Sequence, residues 1–186
     1  MKITLHYNSP VILTFFFLSL GALVSGWLTQ GWTTTHIFSV YASPITPLYF
    51  VRLFCHVLGH SSYSHFAGNM VLMLVVGPPM EERYGSRCLF FGILLTALIS
   101  GLLQCTFFPG YALLGASGIV FMLILLSSLS GMKSGTIPLT LIFVSLIYLG
   151  QEVYAGLFVK DNVAHFMHLA GGLCGTAFGF LVRKRH

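Results

Sequence analysis

Residues 112–132 read ALLGASGIVFMLILLSSLSGM, a run without a single charge. An α-helix rises about 1.5 Å per residue, so about 20 apolar residues match the hydrocarbon core of a bilayer. This run is therefore predicted to be a membrane span. At its outer end stands Ser117, within Gly115-Ala116-Ser117-Gly118. A polar side chain set among small residues inside such a span marks a functional site before it marks anything else.

Working outward, the same reading gives spans at 11–28, 65–80, 88–108, 137–157 and 163–182. The chain is 56% hydrophobic and 7% charged over 186 residues. Soluble domains carry about 25% charged residues, so a soluble surface is excluded. The predicted fold class is an all-α membrane protein, a six-transmembrane-helix bundle forming a single domain over 1–186. The segment between the first two spans, Gln30 to Ser64, is rich in aromatic residues, Thr and Pro. It is expected to be a long, partly membrane-embedded loop. The first run is too long for a signal-peptide core and is read as an uncleaved span. The sequence shows no internal repeat and no second domain.

The net charge of +5 does not indicate nucleic acid, because the basic residues sit at span ends. With six spans, Lys2, Arg83, Arg87, Lys133, Arg183, Lys184 and Arg185 fall on one side. Only Arg52 and Lys160 fall on the other. The positive-inside rule then places both termini in the cytoplasm. Cys55, Cys88, Cys105 and Cys174 have no paired spacing and read as packing residues, not as a disulfide or zinc framework.

Orientation brings the polar residues together. Spans two, four and six all start from the outer side. Ser117 follows Gly110 by seven residues and His168 follows Asp161 by seven; if helical, both lie about 10 Å below the outer edge. His65 and Asn69 open span two on the same side. Gly171, Gly175 and Gly179 form a small-residue stripe that admits a neighbouring helix, and His168 shares that face. Serine beside a histidine that can take its proton is the minimum set for nucleophilic catalysis.

These residues resemble the rhomboid family of intramembrane serine proteases from Arg52 to the end of span six. Gly115-Ala116-Ser117-Gly118 is similar to the family's G-x-S-G nucleophile motif. His168-Leu169-Ala170-Gly171 with Gly175 is similar to its last-helix motif. His60, His65 and Asn69 match H-x4-H-x3-N, and Glu81 to Ser86 resembles E-x-R-x-G-S. Val51 before Arg52 and Gly77-Pro78 after span two depart from the pattern. The resemblance implies a Ser117–His168 dyad without a third acid, and an oxyanion hole from His65, Asn69 and the Ser117 backbone N–H. It also implies substrates that are transmembrane segments of other proteins. The minimal six-helix form points to a bacterial inner membrane, with the active site open to the outer side. No cofactor is expected.

Other residues take supporting roles. His60 is expected to brace the loop, and Arg52 to tie it down or meet lipid headgroups. Glu81 and Arg83 are expected to pair and fix the turn between spans two and three. No metal is expected, since H-E-x-x-H is absent and no carboxylate lies between Arg52 and Glu81. His56 has no assigned role; His165, Gln151 and Glu152 lie either beside the site or at the interface. The alternative reading is a catalytically silent relative that binds transmembrane helices. A transporter is disfavoured by the lack of repeats. Oligomeric state and natural substrate are left open.

Overall fold

The computed structural model of the chain describes residues 6–130 and the single positions 139, 142, 143, 146, 147 and 177. Six α-helices are described: α1 (Pro10–Leu28), the short α2 (Trp32–His36), α3 (Pro47–Cys55), α4 (Tyr63–Tyr84), α5 (Ser86–Phe107) and α6 (Ser117–Ser130). A 3-10 turn, His56–Leu58, follows α3. Apart from these, the described residues hold one isolated antiparallel bridge between Val40 and Leu113. The all-α class is as expected. Both α1 and α5 are long and apolar enough to cross a membrane. Helix α4 has the length but carries His65, Asn69, Glu81, Glu82 and Arg83. The expected fifth and sixth spans fall outside the described residues except at those single positions.

Local chemistry explains where the helices begin. Proline opens α1 and α3, where a missing N–H costs nothing and φ is already helical. Thr46 caps α3 by accepting from the Tyr49 N–H, and Ser62 caps α4 by accepting from the His65 N–H at 3.2 Å. Gly85, at φ 81°, turns α4 directly into α5.

The start of α1 is capped from a distance. Ser9 makes no side-chain cap. Glu81 of α4 supplies it instead, its two oxygens accepting from Val11 N–H at 2.9 Å and Ile12 N–H at 3.0 Å. A carboxylate there satisfies orphan donors and meets the positive end of the helix dipole. Close packing accompanies the cap, since a Cβ on Gly77 would lie 2.6 Å from Ile12 Cδ1.

The core forms where α6 packs against α4, and α4 against α1. Ile12, Met70, Met73, Ile119, Met122, Leu123 and Leu126 are almost wholly excluded from solvent. Helix α6 buries residues around most of its circumference, from Ile119 to Leu129. Such a helix is central. By contrast, α1 leaves Phe17, Leu18, Trp27 and Leu28 exposed, the face an outer membrane helix turns to lipid.

One predicted boundary is wrong in an informative way. The run 112–132 does not start as helix; α6 begins at Ser117. Leu113 commits both its N–H and its C=O to Val40, each at 2.9 Å, which holds the segment extended. Gly115 then sits at φ 123°, outside the helical range. A depth for Ser117 based on helical rise from Gly110 therefore does not apply.

Candidate active site

Ser117 is the first residue of α6, and Ala116 before it is fully buried. The first intrahelical bond runs from Val120 N–H to the Ala116 carbonyl at 2.9 Å. By position, the N–H groups of Ser117, Gly118 and Ile119 have no partner within the helix. The Ser117 side chain is half-buried and so reachable. Gly115 is pinned by the Val40–Leu113 bridge two residues before it and by its own N–H donating to the His56 carbonyl at 3.0 Å.

His65 lies over this segment. A Cβ built on Gly115 would be 2.9 Å from both Cε1 and Nε2 of its ring. Only glycine fits here, for two reasons: the positive φ and the approaching imidazole. Ser61 Oγ lies 3.2 Å from His65 Nδ1 and orients the ring. Asn69, one turn further along α4, is buried, and one of its amide hydrogens bonds the His65 carbonyl at 3.1 Å. Its second amide hydrogen is left for another acceptor. The structure thus gathers His65 and the Gly115–Gly118 motif, with Asn69 behind on the same helix face. His168, Gly171 and Gly175 lie outside the described residues, as do His165, Gln151 and Glu152.

His60 and His56 brace the outer loop by different means. His60 is 2% exposed and donates Nδ1–H to the Leu58 carbonyl at 3.1 Å. Its ring meets His65 and Phe66 edge to face at 5.0 and 5.5 Å. Burial, then the neighbouring His65 ring, lowers its pKa to about 4, against the opposing pull of the Leu58 carbonyl. His56 had no assigned role from sequence. Its Nε2–H donates to the Ala97 carbonyl of α5 at 3.1 Å, while its own carbonyl accepts from Gly59 and Gly115. Burial lowers its pKa to about 4 as well, partly offset by the Ala97 carbonyl. Sequence offered no signal for this role beyond a histidine in an apolar stretch.

Arg52 is buried and does tie down the loop. Its Nε donates to the His36 carbonyl at 2.7 Å, Nη1 reaches Ser43 Oγ at 3.4 Å, and the guanidinium lies 4.4 Å over the Tyr41 ring. The expected Glu81–Arg83 pair is not what forms. Glu81 is buried on the α1 N-terminus, and Arg83 is exposed, 5.9 Å over the Tyr84 ring. Residues two apart on a helix point away from each other, so that pairing was geometrically poor. Among the described residues, no three His, Cys, Asp or Glu side chains gather where they could hold a metal.

The segment offers helix N-terminal donors at Ser117, with the His65 imidazole against Gly115. The chain is similar to known proteins. A family model described as a Rhomboid domain matches residues 47–185. The chain is 30% identical over 142 residues to Rhomboid-related protein 1 of Caenorhabditis elegans, covering 70% of this chain and 39% of that protein. It is 27% identical over 143 residues to Rhomboid-related protein 2 of Mus musculus, covering 70% and 47%. The chain therefore spans less than half the length of these curated relatives.

Proposed function

Because the chain belongs to the rhomboid family, we propose that it is an intramembrane serine endopeptidase that cuts peptide bonds in or near transmembrane segments of other membrane proteins. The observation that carries this reading is the pinned, non-helical approach to Ser117. It leaves the serine half-buried at a helix start, with His65 over Gly115. Ordinary helix packing would not require the positive φ, the Val40–Leu113 bridge and the His56 tether together.

In this reading Ser117 Oγ attacks the scissile carbonyl and His168 takes its proton, then returns it to the leaving amine. The tetrahedral oxyanion is met by the Ser117 N–H, the free Asn69 amide hydrogen and His65. Gly171 and Gly175 let the last span approach closely enough to present His168. Water must reach the site, so the pocket opens to the outer side. In this reading six spans put both termini on the cytoplasmic side of a bacterial inner membrane. The substrate helix must partly unwind to expose its backbone, so small or helix-breaking residues near the cut favour cleavage.

The test is cleavage of a model transmembrane substrate by purified protein in detergent, with Ser117→Ala and His168→Ala beside wild type. Loss in both variants establishes the dyad. Equal cutting by the variants overturns the site. An inert wild type that also fails to label with a serine-directed fluorophosphonate supports a silent helix-binding protein instead.

A further inference from the structure

Two openings adjoin along α1 and α5, running from the α1 N-terminus toward α3. One is an apolar groove of about 480 Å³ between α1 and α5, closed at one end by the underside of α3. Thr14, Leu18, Phe54, Cys55, Phe90 and Leu94 are among its walls. The other is a polar cleft of about 490 Å³ at the α1 N-terminus, lined by His6, Asn8, Glu82 and others. Ser86 lines both, so the groove and the cleft adjoin there.

The dimensions match one lipid tail. The groove follows α1 from Pro10 to Leu18 and α5 from Ser86 to Ala97. At about 1.5 Å per residue these stretches run about 12 and 16 Å. Half of a hydrocarbon core about 30 Å thick is about 15 Å. An apolar groove alone selects nothing in a bilayer, because lipid tails are as apolar as its walls. Selection must come from the cleft.

The cleft's charge decides what fits. Glu81 lines it, but its oxygens are committed to Val11 and Ile12. Glu82 is exposed, and among the described residues no ion pair engages it. The carboxylate calls for a cation. We propose that the groove and cleft together hold one aminophospholipid, its tail between α1 and α5 and its headgroup ammonium on Glu82. This rests on the reading that the chain is a membrane protein, not on its proteolytic activity.

The test uses the full chain in nanodiscs of phosphatidylethanolamine, phosphatidylglycerol and phosphatidylcholine, released for native mass spectrometry. The expected result is one retained phosphatidylethanolamine, favoured about fivefold, the scale of a partly exposed charge pair. Glu82→Gln removes the preference, and Leu94→Trp, which fills the groove, removes retention. A second reading needs no variant: added phosphatidylethanolamine slows N-ethylmaleimide labelling of wild-type Cys55, followed by peptide mass. Retention without headgroup preference, a preference for phosphatidylglycerol, or unchanged Cys55 labelling each overturns the proposal. If the protein leaves membranes without detergent, the membrane reading itself has failed. If it needs detergent and holds no lipid, only the lipid site has.

Discussion

Two helix starts in this molecule are built in opposite ways. At α1, a buried carboxylate fills the end: Glu81 accepts from two successive backbone N–H groups. At α6, the first residue is the candidate nucleophile, and the chain before it is fixed by hydrogen bonds to its neighbours. Both ends present the same partial positive charge. One is occupied by the protein's own anion and serves stability. The other is fixed by backbone hydrogen bonds with no such anion among the described residues, which is what a site for a transient anion requires. The comparison predicts a separation of effects. Ser117→Ala should lower proteolysis by about 10⁴-fold or more while leaving the thermal midpoint nearly unchanged. A large loss of stability would mean that Ser117 serves packing and that the two ends are alike.

Gly115→Ala attacks the fixing of the α6 start. A side chain there must accept a φ of 123° and displace the His65 ring. Misplacing catalytic groups by about 1 Å costs about 100-fold in rate, so that loss is expected in kcat, with KM less affected. Acid acts next. His56 and His60 both have pKa values lowered to about 4 by burial, below the ordinary 6.5. Above pH 6.5 both rings are neutral, folded or unfolded. As pH falls from 6.5 toward 4, the unfolded chain binds protons that the folded one refuses, so stability is lost across that window. The full loss is up to about 3 kcal/mol per ring. His56→Gln should flatten part of the decline, read by denaturation at pH 7 and pH 5.

Glu81→Ala tests the occupied end. It leaves two helix donors unmet and a buried space, with an expected loss of about 2 kcal/mol. Activity per folded molecule should hold. If proteolysis collapsed while stability held, the assignment of roles to the two ends would be reversed.

How much of this was legible depends on range. The positions of α1, α4 and α5 follow from apolar composition and from Pro, Ser and Gly signals within a few residues. The motif spacing in α4 put His65 and Asn69 one turn apart on one helix face, and the structure lays His65 against Gly115. The Ser117 helix start did not follow, because Ala112, Leu113 and Leu114 are as apolar as the helix after them. The bridge to Val40, some seventy residues earlier in the chain, holds them extended. Glu81 was misjudged for the same reason. Its partners, Val11 and Ile12, are backbone groups, and no residue-type pattern announces a backbone donor. His56 contributes a carbonyl to Gly115, which is equally silent in sequence.

Arg52 gives the smallest effect and the finest test of how the α6 start is held. Its guanidinium joins the His36 carbonyl, Ser43 and the Tyr41 ring, residues on either side of Val40. Val40 in turn pairs with Leu113, two residues before Gly115. If the loop is one mechanical unit, weakening Arg52 should be felt at Ser117 without touching it. Arg52→Lys keeps the charge but loses the planar fork and its stacking, for about 1 kcal/mol of stability. Proteolysis should then fall by about fivefold, the same energy read as rate, and amide hydrogen exchange at Val40 and Leu113 should speed up together. Faster exchange at Val40 alone would show that the bridge does not transmit the loop's rigidity. The tether from Gly115 to His56 would then be what fixes the nucleophile.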